Sequence, residues 1–240
     1  MDLTIEQARA LDTSSRNGLI ESSKRWPNNR VFYEINDEHT MEELVEIERA
    51  MQVIESVSCV QFKERTHEHG YIVFGASGSG CSSKVGYHGN AQTINLAPKC
   101  FQRFGTIIHE LLHALGFYHM QSTHDRDDYI KINYENIRTG MERNFNKYDL
   151  QRVTNFGQKY DYESVMHYSG YGFSKNGQPT IEPYNKSYTN VIGQRIGMSS
   201  TDILKLNIMY NCNSLDETYE SGPFCTRNLN LPMCLLKPST

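Results

Sequence analysis

Between Thr40 and Ser58, hydrophobic residues recur at intervals of three and four, which places them on one face of a helix. Thr40, with Glu43 three residues later, forms a capping box that predicts where this helix begins. The apolar positions are typical of core contacts rather than of a cofactor stripe. They are Leu44, Ile47, Met51, Ile54 and Val57.

Short runs rich in β-branched and aromatic residues predict strands around this helix, over residues 30–36, 60–65 and 71–77. A further short pair is predicted over residues 83–89 and 92–98. Helix signals resume near Phe101 and continue to Leu115, and a last helix, opened by Ser199 or Ser200, runs to about Tyr210. The pattern predicts an upper lobe of strands and helices, a loop-dominated lower lobe, and a polar tail over 213–240.

The second predicted helix carries the sequence H-E-x-x-H-x-x-G-x-x-H. His109 and His113 are one turn apart, so their imidazoles face the same way. Gly116 can take the left-handed conformation that ends helices and thereby return His119 to the same point. Three imidazoles can then bind one zinc ion and leave its fourth position open to water.

Glu110 follows the first of these histidines and is expected beside the open position, where its carboxylate can act as general base on the attacking water. Chance alone would produce the five fixed positions in a chain this long on the order of once in 10⁵. A purely structural zinc site is excluded, because such a site closes its fourth position with Cys or His. The motif therefore predicts a catalytic zinc site.

Charge and hydropathy exclude other classes of function. The 240 residues carry a net charge of −4 with scattered Lys and Arg, so the sequence lacks the basic stripe of a nucleic-acid-binding protein. It also lacks an apolar run near the roughly 18 residues that span a bilayer. The first residues do not resemble a signal peptide, so either that signal has been trimmed or the protein is not exported.

The cysteines favour export. None lies in a C-x-x-C pair, and an even number beside a histidine metal site is typical of three disulfides, with fifteen possible connectivities. Asn185-Lys186-Ser187 is a glycosylation sequon, which agrees with secretion. The cysteines are Cys59, Cys81, Cys100, Cys212, Cys225 and Cys234.

From about Asn17 to Cys212 the chain resembles the astacins, secreted zinc endopeptidases of the metzincin group. The resemblance rests on the zinc motif and its flanks, on residues 125–129 (DRDDY), and on residues 164–168 (SVMHY), which look like the Met-turn of that family. It implies an α+β catalytic domain of two lobes: an upper lobe with a twisted sheet and two long helices, a mostly irregular lower lobe with a C-terminal helix, and zinc in the cleft between.

The resemblance also implies roles for individual residues. Met166 would form the apolar floor beneath the metal, and Tyr168 would be a fifth zinc ligand that swings away to stabilise the oxyanion. The segment around Arg195 resembles the one that places an arginine in the pocket for the residue after the scissile bond, which implies a preference for Asp or Glu there. A solvated surface arginine is the alternative interpretation.

By the same resemblance, Cys59 pairs with Cys212 and Cys81 with Cys100, which leaves Cys225 and Cys234 to pair in the tail. The mature enzyme would begin at Asn17, so residues 1–16 are expected to be a remnant of a pro-segment, 17–212 the catalytic domain and 213–240 a tail. The F-x-G-D motif that blocks zinc in the family does not occur before residue 17.

One position departs from the family. Astacins carry a glutamate directly after the third zinc ligand, where it receives the ammonium of the new N-terminus, and this chain has Met120. A thioether cannot neutralise a buried ammonium, so the terminus is expected to stay solvated or to find another partner.

The sequence therefore predicts a secreted, monomeric zinc endopeptidase that acts on proteins or peptides with one zinc per chain. The rival hypothesis is a catalytically inactive relative that binds peptide or matrix. Inactive relatives commonly lose the base or a ligand, and this chain retains Glu110, the three histidines and Tyr168.

Overall fold

The computed structural model of the protein describes residues 17–148 and 153–212. The predicted pro-segment remnant and tail, with the expected Cys225–Cys234 pair, lie outside these residues. The described strands and helices, in chain order, are β1 (Gly18–Leu19), β2 (Arg30–Ile35), α1 (Met41–Ser56), β3 (Gln61–Glu64), β4 (Tyr71–Gly75), β5 (Cys81–Ser82), β6 (Ala91–Leu96), α2 (Gly105–Leu115), β7 (Ile130–Ile132), β8 (Val153–Thr154), β9 (Ile181–Pro183) and α3 (Ser200–Met209).

Five strands form the main sheet, in the order β3-β2-β4-β6-β5. The first four are parallel, and β5 pairs antiparallel with β6. Alternate side chains of the parallel strands point into the core, as the period of two in a strand requires. The fully buried ones include Val31, Ile72, Phe74, Ile94 and Leu96.

The prediction of a strand over residues 83–89 is wrong. The antiparallel partner of β6 is Cys81–Ser82 instead. Residues 83–89 form a loop because their backbone bonds to other segments: the N–H of Gly86 donates to the carbonyl of His113, and the N–H of Tyr87 donates to the carbonyl of Lys24. Gly86 also has a φ of +77°, which does not fit a strand.

Two helices of the upper lobe follow the sequence closely. The capping box at Thr40 and Glu43 is present, and α1 begins at Met41. Helix α2 begins at Gly105 rather than near Phe101, because Pro98–Gln102 forms a separate 3₁₀ turn. A Cβ at Gly105 would lie 2.4 Å from the backbone of Arg195, so only glycine allows this close approach.

Two hydrophobic clusters correspond to the two lobes. The larger one lies among the main sheet and all three helices, and it includes Leu206 and Met209 of α3. The smaller one packs beneath the two-stranded ladder of β7 and β9, which the sequence did not predict. Its buried members are Met120, Ile130, Ile137, Phe145, Tyr160, Ile181 and Ile192.

Two disulfides connect parts of the fold that are distant in sequence. Cys59 pairs with Cys212, which ties the end of α1 to the residues after α3, and Cys81 pairs with Cys100. These are the pairs that the family resemblance implies. Among the described residues, no helix is both long and apolar enough to cross a bilayer.

Candidate metal centre and active site

Three imidazoles meet at the end of α2. One ring nitrogen from each of His109, His113 and His119 lies within 4.8 Å of the others, and the Nε2 atoms of His113 and His119 are 3.0 Å apart. His109 and His113 are brought together by one helical turn. Gly116, with φ +112° and ψ 13°, ends the helix in the left-handed conformation, as predicted, and lets the chain return with His119.

The outer nitrogens of two ligands are fixed by backbone carbonyls. Nδ1 of His109 lies 2.8 Å from the carbonyl oxygen of Val165, and Nδ1 of His113 lies 2.7 Å from that of Phe117. A carbonyl can only accept, so each Nδ1 carries the proton and each Nε2 presents its lone pair to the common point. Such outer bonds fix the tautomer and orientation of metal-binding histidines.

These residues fit a metal ion. Burial, followed by the neighbouring His113, lowers the pKa of His109 well below its usual value, and burial also lowers the pKa of His113 to about 4. The rings are therefore neutral at pH 7, which is the form that binds zinc. Lone pairs that converge within 3.0 Å repel each other unless a cation lies between them.

Glu110 lies beside the imidazoles on α2 and is 5 % exposed. Its Oε2 atom is buried without a hydrogen-bond partner among the described residues. Burial raises the pKa of Glu110 to about 7, against the opposing effect of the Arg195 guanidinium. A buried carboxyl oxygen without a partner is available for proton transfer.

Tyr168 faces the third imidazole, with its ring centre 4.3 Å from that of His119. The ring packs against Phe145 and Phe173, while its backbone N–H donates to Oε1 of Gln121 at 3.1 Å. Burial raises the pKa of Tyr168 to about 12, so its hydroxyl keeps its proton at neutral pH. It can therefore donate a hydrogen bond in the site.

Met166 is fully buried, and its carbonyl accepts from the N–H of Met120 at 3.0 Å. The turn that carries it is held by Asp202 of α3, whose carboxylate accepts from Oγ of Ser164 at 2.6 Å and from the N–H of Val165 at 2.9 Å. Since Val165 also orients His109, Asp202 supports the metal centre from a distance. From the sequence alone, Asp202 would be assigned only to the first turn of the last helix.

Arg195 lies close enough to the centre to act on the pKa values of Glu110 and Tyr168. Its Nη1 donates to the carbonyls of His167 and Gln194, at 3.0 and 2.8 Å. These two bonds fix the guanidinium against the backbone, and Arg195 is only partly exposed, which disfavours the alternative of a solvated surface arginine.

His167 is a further buried group that the sequence analysis did not single out. Its Nε2 lies 2.6 Å from the hydroxyl of Tyr160, and its Nδ1 lies 2.6 Å from the carbonyl of Tyr168. These contacts fix the orientation of the His167 imidazole, next to Met166 and Tyr168 in the chain. No sequence signal indicates the partner at Tyr160, since that contact depends on how the loop folds.

The predicted glycosylation sequon is exposed. Asn185 is exposed, and its Oδ1 accepts from the N–H and the hydroxyl of Ser187. The side chain is therefore at the surface, where a glycan could be attached.

Comparison with known proteins agrees with this geometry. The sequence profile of the peptidase family described as Astacin matches residues 18–211. Zinc metalloproteinase nas-13 of Caenorhabditis elegans is 40 % identical over 203 residues, which are 85 % of this chain and 44 % of that protein. Blastula protease 10 of Paracentrotus lividus is 41 % identical over 84 % of this chain and 35 % of its own length. The chain thus spans half or less of these relatives.

Among solved structures, High choriolytic enzyme 1, a hatching enzyme zinc-protease from Oryzias latipes, superposes with a TM-score of 0.74 and 39 % sequence identity. The match covers 80 % of this chain and 96 % of that one. Myroilysin, at 19 % identity and a TM-score of 0.57, shares the fold. With the three-histidine cluster, these matches identify the cofactor as zinc.

Proposed function

The chain belongs to the astacin family of peptidases, and on that basis we propose that it is a secreted zinc endopeptidase that hydrolyses internal peptide bonds of proteins. One observation carries the proposal: three neutral imidazoles converge within 4.8 Å beside a buried, unpaired carboxyl group. A metal with an open position and an adjacent base is the arrangement that hydrolysis requires.

The geometry supports a separate role for each of these groups. Zinc held by His109, His113 and His119 would supply Lewis acidity toward water and toward a peptide carbonyl. Glu110 takes the proton of the attacking water and returns it to the leaving amine, because its carboxyl has no competing partner among the described residues. The carbonyls of Val165 and Phe117 hold the ligand rings in place throughout.

Tyr168 stabilises the negative charge that develops on the carbonyl oxygen of the scissile bond. Its position against His119 and its retained proton support this role. A positioned donor of this kind acts more strongly in a partly dehydrated site than in water. As the family resemblance implies, Tyr168 would also be a fifth zinc ligand in the resting enzyme and would swing away to take up this role.

Arg195 selects the residue after the scissile bond, and the selected residue is acidic. Burial lowers the pKa of Arg195 only to about 10, so the side chain remains a cation at neutral pH. Its Nη1 is held by two backbone carbonyls, which leaves the positive charge without a carboxylate hydrogen-bond partner among the described residues. A substrate Asp or Glu would supply that partner through a charge-assisted bond.

Secretion is supported by the two disulfides and by the exposed sequon at Asn185. We further propose that residues 17–212 form the catalytic domain, that residues 1–16 belong to a pro-segment, and that the enzyme acts as a monomer.

The second candidate, an inactive relative that binds peptide or matrix, is disfavoured by the intact base and ligands. Removal and return of zinc separates the two. Chelation should abolish hydrolysis of casein, and one equivalent of zinc should restore it. Protein that binds one equivalent of zinc and leaves casein intact would be the inactive relative.

A further inference from the structure

Lys205 is a lysine in an unusual place. It lies within α3, and its side chain is fully buried. Its Nζ atom donates to Oδ1 of Asn17 at 3.1 Å and approaches Sδ of Met120 at 3.8 Å. Both of these residues are also fully buried. Lysine is almost never fully buried unless its ammonium is paired, so this position requires a reason.

Within the described part of the chain, the direct contacts of this ammonium are neutral. Carboxylates at longer range offset part of the cost of burial: burial lowers the pKa of Lys205, and Asp202, Asp161 and Asp125 oppose that effect. Asp202 is the residue that holds the Met-turn through Ser164 and Val165. The ammonium therefore lies between the support of that turn and the segment that carries Asn17.

Three segments meet at Lys205, and each one is connected to the metal centre by a hydrogen bond or by the chain itself. The carbonyl of Asn17 accepts from the N–H of Tyr118, directly before the third ligand. Met120, directly after that ligand, donates to the carbonyl of Met166. Helix α3 itself carries Asp202. A cation at this junction can hold the first strand, the loop of the third ligand and the Met-turn in fixed positions relative to one another.

We propose that Lys205 is a positioning residue for the metal centre. Its buried ammonium binds Asn17 and holds it against the loop of the third ligand. Because this internal cation is present, a free ammonium at Asn17 is unnecessary. The proposal rests on the proposed function. It also identifies Lys205 as the partner of the buried segment at Asn17 in a chain that has Met120. An ammonium on Asn17 itself would add a second cation to the residue whose amide oxygen already binds Lys205, and like charges in a buried site repel.

The test uses the full chain and two readouts that do not depend on hydrolysis. One is hydrogen exchange of the Tyr118 amide, which is bonded to Asn17, and the other is the rate of zinc loss to a chelator. Lys205→Met keeps most of the unbranched apolar side chain and removes the ammonium, and Lys175→Met is the control at an exposed position. We expect Lys205→Met to accelerate both processes roughly tenfold or more, and the control to leave them unchanged. Unchanged rates in a folded Lys205→Met protein would overturn the proposal.

A double-mutant cycle of Lys205 and Asn17 distinguishes the effect of the lysine charge from the effect of its packing. If Lys205→Met folds poorly, Lys205→Gln takes its place in the cycle. Asn17→Asp puts a carboxylate opposite the ammonium at nearly constant shape. We expect it to slow exchange at Tyr118 in the parent chain and to accelerate exchange when Lys205 is neutralised, because the carboxylate is then unpaired. The same sign in both backgrounds would show that the charge of Lys205 has no positioning role. Failure of the parent chain to hydrolyse casein would count against the proposed function alone.

Discussion

Replacement of Tyr168 by phenylalanine tests the part of the site that the sequence alone could least define. The ring makes its contacts through carbon, with His119 at 4.3 Å, Phe173 at 5.6 Å and Phe145 at 6.0 Å between ring centres. The bond from its backbone N–H to Gln121 does not involve the hydroxyl. Tyr168→Phe should therefore preserve folding and remove one hydrogen-bond donor.

The expected loss follows from that single donor. The hydroxyl keeps its proton at neutral pH, since burial raises the pKa of Tyr168 to about 12. Removal of one donor toward developing negative charge typically lowers kcat about 10²–10³-fold, which corresponds to about 3–4 kcal/mol of barrier. The ground-state carbonyl carries little of this charge, so KM should change little.

The assay is steady-state hydrolysis of an internally quenched peptide, with zinc content measured on the same samples. Tyr162→Phe is the matched control, because its hydroxyl donates to the carbonyl of Tyr129 at 2.8 Å, outside the site. It should retain full kcat. A Tyr168→Phe protein with one zinc and unchanged kcat, or with its loss confined to KM, would refute the assigned role.

Three further predictions concern specificity, pH and stability. Arg195→Ala should reduce cleavage before Asp and Glu at least about tenfold relative to cleavage before neutral residues, as a peptide-library profile would show; an unchanged profile would remove Arg195 from the pocket. Burial and the adjacent Asp202 raise the pKa of Asp161 to about 6, so this carboxyl favours the fold below pH 4 and loses that contribution as pH rises through 6. In metal-free protein, the stabilising effect of Asp161→Asn relative to the parent should therefore be about 1–2 kcal/mol larger at pH 7.5 than at pH 4.5. Equal shifts of the denaturation midpoint at the two pH values would contradict this. Replacement of both Cys81 and Cys100 by serine opens a loop with a sequence separation of 19, and urea unfolding should show a loss of about 3 kcal/mol, whereas an unchanged midpoint would show that the crosslink contributes nothing.

Local rules account for what the sequence predicted well. The capping box of α1 needs only Thr40 and Glu43, and the left-handed end of α2 needs only Gly116. The zinc motif is similarly local, because helical geometry and one glycine bring its three histidines together. These elements depend on neighbours within a few residues, and a single sequence contains that information.

Features that depend on distant contacts could not be predicted in this way. Residues 83–89 look like a strand, but Gly86 and Tyr87 bond to His113 and Lys24 instead of to a ladder. The supporting role of Asp202 appears only when α3 packs against the Met-turn. The burial of Lys205 likewise follows from the meeting of segments that are 188 residues apart in sequence. The roles of Met166, Tyr168 and Arg195 came from the family resemblance.

The central claim is that Glu110 transfers protons beside a zinc ion held by His109, His113 and His119. Turnover and zinc content of Glu110→Gln, measured on one preparation, test it most directly, because the amide keeps the shape of the side chain and cannot act as a base. We predict one zinc per chain and a loss of about 10²–10⁴ or more in kcat. Near-normal turnover in zinc-loaded Glu110→Gln protein would contradict the account.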